Sequence, residues 1–512
     1  MRYSLQVPWF NFAALLLVAS ALQTSTDEDA LPSQPALERA LHDSVRGSCP
    51  SLKYQIDPAL AKAAQGFASA VEAGKAPPSG AALGFYASIE SAEPAPVAGV
   101  ATIEPASQAD RAVGDLYSRA CRFNRAGVAA GRYKGGAIVA LLTARHELEL
   151  SDLPGQVAPG AEVTLSGKLP AGLKSPRLFV LQPGGTVDQR DLGKVLPNGP
   201  ALPENKFHTR LFLETKGEHV VEVLADGAGG PQVVAMRRVF VGVPPPAYPP
   251  PEVKHSFDET STGTQAAAAA ISELRAARGL PPLVRDAALD AVAKKHSQAM
   301  AHSKTFAHVL KSDGTLSDRL QRDGYAYRFA GENIGLADTA ALAHEAVALS
   351  PAHLANLLDP RHKRFGLGAV EGTSPEGATG VYLTEVLAAP VVGLADPAGE
   401  VMKLIARHRQ EHAKRPLLRD RRLDQVAERE ARAAAMSGGP PFVGDAARRA
   451  LDTVSTISSA AADLYVGSQP EDVLRSKNLE NADWTHVGIG ALYASSDAYG
   501  PGRLWVLVVF AK

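Results

Sequence analysis

The sequence predicts a multidomain α+β chain in which mixed helix-and-strand modules surround one all-β sandwich. Three observations predict it. The chain has 512 residues, more than a single hydrophobic core usually serves. A proline run, Val243-Pro244-Pro245-Pro246-Ala247-Tyr248-Pro249-Pro250-Pro251, divides it near the middle. A helix-like segment also recurs at a constant offset of 134 residues, Asp286 answering to Asp420. With 45% hydrophobic and 21% charged residues the composition is that of an ordinary globular protein. The formal net charge of −1 gives no global pull towards nucleic acid or an anionic membrane, and nucleic acid is not an expected partner.

Residues 1–25 read as a signal peptide. Arg2 is followed by an apolar stretch from Phe10 to Leu22, which ends around the small, cleavable residues Ala19-Ser20-Ala21, and then by the polar segment Thr24 to Glu28. The mature chain is expected to begin between Ala21 and Asp29, and an uncleaved anchor is the alternative. No later segment has a membrane-spanning length, so the mature chain is expected to be secreted or periplasmic, without a transmembrane span. Of the two cysteines, Cys49 and Cys121, an oxidising compartment would make one disulfide; two buried thiols are the other reading. Neither belongs to a Cys-x-x-Cys pair, which excludes a cysteine zinc site.

Residues 153–243 are β-rich. Val163 to Gly167, Arg177 to Leu181, Arg210 to Leu213, His219 to Leu224 and Val233 to Val241 read as strands parted by Gly and Pro turns. That density of strands predicts an immunoglobulin-like β-sandwich, with spacing or adhesion as its role and no site of its own. The prolines that follow make 244–261 an extended linker.

Beyond the linker, Leu289, Val292, Ala293, His296 and Met300 share one helical face. Thr315 to Asp323 reads as a short helix ended by Gly324. Asp338 is placed to cap a helix running to Leu349, with Leu342, Ala346 and Leu349 on its buried side. Strands are expected from Gly366 to Val370 and from Gly380 to Leu387. Between these elements stand Phe306-Ala307-His308, Gly331-Glu332-Asn333 and Ser350-Pro351-Ala352-His353. With Leu280-Pro281-Pro282-Leu283 and Asp286 before them, this ordered set resembles the CAP superfamily of cysteine-rich secretory proteins, antigen 5 and pathogenesis-related proteins (the SCP domain), most closely its bacterial branch.

The resemblance covers residues 262–390 and implies a three-layer α-β-α sandwich. It implies that His308, Glu332 and His353 line one cleft, with Glu332 starting a loop before the next helix and His353 following that helix. Two neutral imidazoles and a carboxylate form an incomplete shell for a divalent cation such as zinc, and they could equally trade protons near neutral pH. The structural alternative has Glu332 bonded to backbone N–H groups and the histidines bridging loops. No serine or cysteine stands in a nucleophile setting, so no catalytic residue is assigned and turnover is the less expected outcome. Family members often carry a second acid before the last histidine; here the stretch is Val347-Ala348-Leu349-Ser350, and Glu345 reads as solvated. His296 reads as a core histidine, and His302 and His344 as surface residues. Glu385 on the closing strand could face the cleft.

Residues 395–512 read as a degenerate CAP-like module. Pro282/Pro416, Leu283/Leu417, Arg285/Arg419, Asp286/Asp420, Leu289/Leu423 and Asp290/Asp424 pair at the constant offset, and Phe365-Gly366-Leu367-Gly368 answers to Val487-Gly488-Ile489-Gly490. Glu430 replaces His296, Arg475 stands opposite His353, and no Gly-Glu-Asn triplet occurs there. A weaker degenerate copy is expected at 30–148, where Asp57-Pro58-Ala59-Leu60 opens and Arg125-Ala126-Gly127-Val128 closes. The resulting functional expectation is an exported CAP-domain binding protein whose partner is a lipid, glycan or protein. The alternatives are a metal-dependent hydrolase acting on peptide or cell-wall material, and a structural cell-surface protein.

Overall fold

The structure is a computed structural model that describes residues 18–19, 30–94, 96–117, 121–146, 148–151, 153–192, 202–203, 205–249, 260–375, 377–391, 393–437, 443–496 and 498–512. Apart from residues 18–19, the expected signal peptide lies outside the described residues, as does 250–259 of the expected linker. Among the described residues, no helix is long and apolar enough to cross a membrane. The chain forms two compact units. One comprises Met1–Leu316, Glu332–Pro360 and Gly366–Val386; the other comprises Ser317–Gly331, Arg361–Phe365 and Leu387–Lys512.

In the first unit the N-terminal sheet runs Gln55–Ile56, Arg125–Tyr133, Gly136–Ala144, Val97–Ile103, with Val18–Ala19 at the last edge. Every residue of Gly136–Ala144 is buried, because side chains alternate between two covered faces. Ile138, Ala140 and Leu142 join a core with the helices Pro58–Glu72 and Gly80–Glu90, while Ala137, Val139 and Leu141 join one with Gln34–Ser48 and Ala109–Leu116. Pro58–Glu72 begins where Asp57 accepts from the backbone of Ala59 and Leu60, with Pro58 preset for the first helical position. Cys49 and Cys121 are bonded, with their Cα atoms 5.6 Å apart, so the free-thiol alternative does not hold.

The β-rich segment forms two sheets. Five strands run in the order Val187–Asp191, Lys174–Leu181, Gly217–Gly227, Gly230–Val241, Gln156–Val157; three run Lys206–Phe212, Glu162–Lys168, Glu149–Leu150. Val221, Val223, Val239 and Val241 share a core with Val163, Leu165, Phe207 and Leu211 of the smaller sheet. The alternate residues Val220, Met236 and Phe240 turn the other way and join the core of the N-terminal helices, which also holds Leu349.

After the prolines, the helices Gln265–Ala276 and Ala287–Ser303 precede a sheet ordered Val284–Arg285, Arg364–Thr373, Thr379–Pro390, Tyr327–Ala337. Leu289, Val292, Ala293, His296 and Met300 are buried as their spacing predicts, and Ser297 joins them. Helix and strand touch closely here: a Cβ on Gly366 would lie 2.2 Å from the carbonyl carbon of Leu289, so only glycine fits. Arg275 is fully buried and donates to the carbonyl oxygens of Pro281 at 3.0 Å and Leu357 at 2.7 Å.

Several expectations are corrected. Gly331-Glu332-Asn333 lies inside the strand Tyr327–Ala337 and does not start a loop, because buried partners hold both polar side chains. The helix Ala340–Leu349 is capped by Thr339 instead of Asp338: the Thr339 hydroxyl accepts from the backbone of Leu342. Its buried face is Ala340, Ala343, His344, Val347 and Leu349, so Leu342 and Ala346 turn partly outward and His344 is not a surface residue. His353 sits in the first turn of a separate helix, Pro351–Leu358.

In the second unit, a sheet runs Leu418–Arg419, His486–Ser496, Gly500–Ala511, Ala460–Gly467. Arg421–Ser437 packs Leu423, Val426, Ala427 and Ala431 against Leu507 and Val509, while Pro397–Glu411 packs Val401 and Ile405 against Val487, Val506 and Val508.

Candidate functional site

His308 follows the helix Ala287–Ser303 on a short turn held from two sides. Its neighbour Ala307 offers a carbonyl to His296 Nε2 at 3.1 Å. The next residue, Val309, donates its backbone N–H to the carbonyl of Gly229 at 3.0 Å, in the turn between Gly217–Gly227 and Gly230–Val241. Gly230 has φ +91°, and a Cβ there would lie 2.9 Å from the His308 Cβ. The β-rich hairpin therefore supports the loop that carries the first histidine.

His308 Nδ1 lies 3.0 Å from Glu332 Oε1, and the Glu332 carboxylate is almost wholly buried. The same oxygen is 3.9 Å from His296 Nε2. His296 also meets Asp313 at 2.7 Å, as expected of a satisfied core histidine. The His308 and His353 rings are roughly parallel, with centroids 6.3 Å apart. His308 thus contacts Glu332 and faces the His353 ring, the three drawn from a loop, a strand and a helix start, but their ligating atoms do not all lie within 4.8 Å of one another.

Asn333, next to Glu332 in the strand, belongs to a second polar cluster. Glu385 is fully buried; it accepts from Asn333 Nδ2 at 3.0 Å and meets His344 Nδ1 at 2.6 Å. Asn333 Oδ1 accepts in turn from Asn356 at 3.0 Å. Glu385 therefore faces Asn333 and His344.

His353 has a buried support of its own. Its Nδ1 is 2.7 Å from the Ser350 hydroxyl, and that hydroxyl donates to Glu222 Oε1 at 2.5 Å. Glu222 Oε2 accepts from the backbone of Ala352 at 2.7 Å. Burial pushes the Glu222 carboxyl up to about 7, against the Ser350 and Ala352 hydrogen bonds. Burial, then the neighbouring His308, pushes the His353 imidazole down to about 3, so it is neutral at physiological pH. Glu222 comes from the β-rich segment, where no site is expected from sequence; the signal that could have found it is an acid inside the apolar run Val220-Val221-Glu222-Val223.

In the second unit, Glu430 stands 134 residues after His296. Glu430 is buried and paired with Arg449, while Asp463 accepts from Ser476 and Asn478. Among the described residues, the three whose ligating atoms all lie within 4.8 Å of one another are His408, His412 and Glu480.

Residues 268–384 match the CAP family, the cysteine-rich secretory protein family. A 101-residue stretch is 34% identical to the uncharacterized protein YkwD of Bacillus subtilis, covering 20% of this chain and 39% of that protein's length. An extracellular protein of Bacillus anthracis containing an SCP domain is 20% identical, over 35% of this chain and 63% of its own, with a TM-score of 0.23. A cysteine-rich secretory protein of Staphylococcus aureus is 12% identical, over 44% of this chain and 77% of its own, with a TM-score of 0.20. On the sequence matches, and with His308, Glu332 and His353 inside the matched stretch, residues 268–384 of this chain are a CAP-superfamily domain.

Proposed function

We propose that the chain is an exported binding protein whose ligand meets the CAP domain at His308, Glu332 and His353. The observation that carries the reading is the 3.0 Å contact of His308 with Glu332 beside a neutral His353 ring. Three segments delivering polar groups to one place is the usual construction of a ligand site. The Cys49–Cys121 disulfide and the signal-like residues 1–25 support export.

In this reading the other two mixed modules are copies that kept the framework without the site. Asp57, Asp286 and Asp420 each accept a hydrogen bond from the backbone N–H two residues on. Arg409 donates to Arg415, Leu479 and Asn481 as Arg275 does to Pro281, Leu357 and Asp359. The two sheets of the β-rich segment, sharing one core, support the immunoglobulin-like sandwich.

The test is mass spectrometry and elemental analysis of exported full-length protein, wild type against His308→Ala/His353→Ala. A co-purifying organic molecule lost in the double variant is the expected result. Stoichiometric zinc lost in the same variant would replace this reading with the metal-dependent one. Identical bound content in both proteins would remove the site.

A further inference from the structure

Above about pH 7, where Glu222 is ionised, the donors and acceptors between Glu222 and His353 leave one arrangement. A carboxylate only accepts, so the single hydroxyl proton of Ser350 goes to Glu222 Oε1, 2.5 Å away. Ser350 Oγ then has only lone pairs for His353 Nδ1 at 2.7 Å, and Nδ1 must carry the hydrogen. The other carboxylate oxygen is held by the Ala352 N–H at 2.7 Å, which prevents Glu222 from turning away. Among the described residues, no hydrogen bond reaches His353 Nε2.

We propose that Glu222 is a positioning residue for the CAP domain: through Ser350 it holds His353 as the Nδ1–H tautomer and leaves the Nε2 lone pair for whatever binds. This rests on the reading of His353 as a ligand-facing residue. The carboxylate comes from a strand outside the matched residues 268–384, so the site spans more of the chain than the family match does.

The experiment reads the tautomer directly, by two-bond 1H–15N correlation of the imidazoles in full-length labelled protein at pH 8, with His353 assigned by its Gln variant. Wild type is expected to show Nδ1–H. In Glu222→Gln the amide oxygen keeps the Ala352 N–H and the NH2 faces Ser350. The hydroxyl must then donate to Nδ1, so the tautomer flips to Nε2–H. Nε2–H in wild type, or no change in Glu222→Gln, overturns the proposal. If Glu222→Gln does not fold, Ser350→Thr should keep Nδ1–H and Ser350→Ala should lose it; retention in Ser350→Ala overturns the relay. The tautomer is read without ligand, so the relay can fail while ligand binding survives, and the reverse.

A different observation carries a second site. His408 and His412 lie one turn apart at the end of Pro397–Glu411, with ring centroids 4.1 Å apart. His412 Nδ1 lies 2.8 Å from the His408 carbonyl, which leaves Nε2 as its lone-pair atom, and His408 Nε2 lies 2.7 Å from Glu480 Oε1. We infer that these three residues bind a divalent cation of the zinc or copper class, the cation displacing the proton between His408 and Glu480. Calorimetric titration of the full chain with zinc chloride should show a binding event weakened at least about tenfold by His412→Ala and unaffected by His308→Ala. No binding, or an unchanged titration in His412→Ala, refutes it. His412 is exposed, so its variant tests binding without disturbing a core.

Discussion

His344 of the CAP domain and Glu385, the residue just after the matched stretch, meet at 2.6 Å, and both side chains are almost completely buried. Asn333 fills the other carboxylate oxygen. Removing one member strands the rest in a dry interior. Glu385→Leu should lower stability by about 3–5 kcal/mol, while His344→Leu/Glu385→Leu should cost clearly less than the two single changes, His344→Leu and Glu385→Leu, together. Urea unfolding of the four proteins checks this; additive effects would show the pair is not coupled.

Glu222 gives a pH dependence with a defined sign. Its carboxyl binds a proton up to about pH 7 in the folded state but only to its ordinary value, 4.5, when unfolded. Between those values the folded state holds more protons, so stability falls as pH rises and is flat above about 7. The whole drop is about 3 kcal/mol. Glu222→Gln should remove it. Comparing unfolding at pH 5 and pH 8 tests this, and the same pH response in both proteins would contradict it.

Gly366→Ala should destabilise by about 3 kcal/mol, because the added methyl meets the backbone of Leu289 and Asp290, which cannot yield as a side chain tip can. Thermal unfolding of the variant measures the loss.

Reducing Cys49–Cys121 opens a loop with a sequence separation of 72 residues. In the chain-entropy picture that costs at most about 4 kcal/mol. Denaturant unfolding with and without reductant, and with Cys49→Ser/Cys121→Ser as control, should show a drop confined to the oxidised wild type.

The parts of the site that the sequence displays are those held by local pattern. The buried stripe of Ala287–Ser303 follows from 3.6-residue spacing, and His308, Glu332 and His353 stand in recognisable short motifs. What it hides depends on partners far along the chain. His344 looks like a polar surface residue until Glu385 arrives 41 positions later. Gly331-Glu332-Asn333 has turn composition, yet buried acceptors and donors make it a strand. Glu222 breaks an apolar run, and only the position of Ser350, 128 residues away, explains why an acid is there.

The Gly229 carbonyl that receives Val309, and the glycine beside it that makes room for His308, bear on how portable the CAP domain is. A gene fragment cut at the proline run would carry both histidines and Glu332 but leave behind their scaffolding. Grafted onto another protein, such a fragment would bring the recognisable motif with its first loop unbraced and its second histidine free to choose its tautomer. For this chain, the segment that a family comparison outlines is smaller than the segment that must be inherited together.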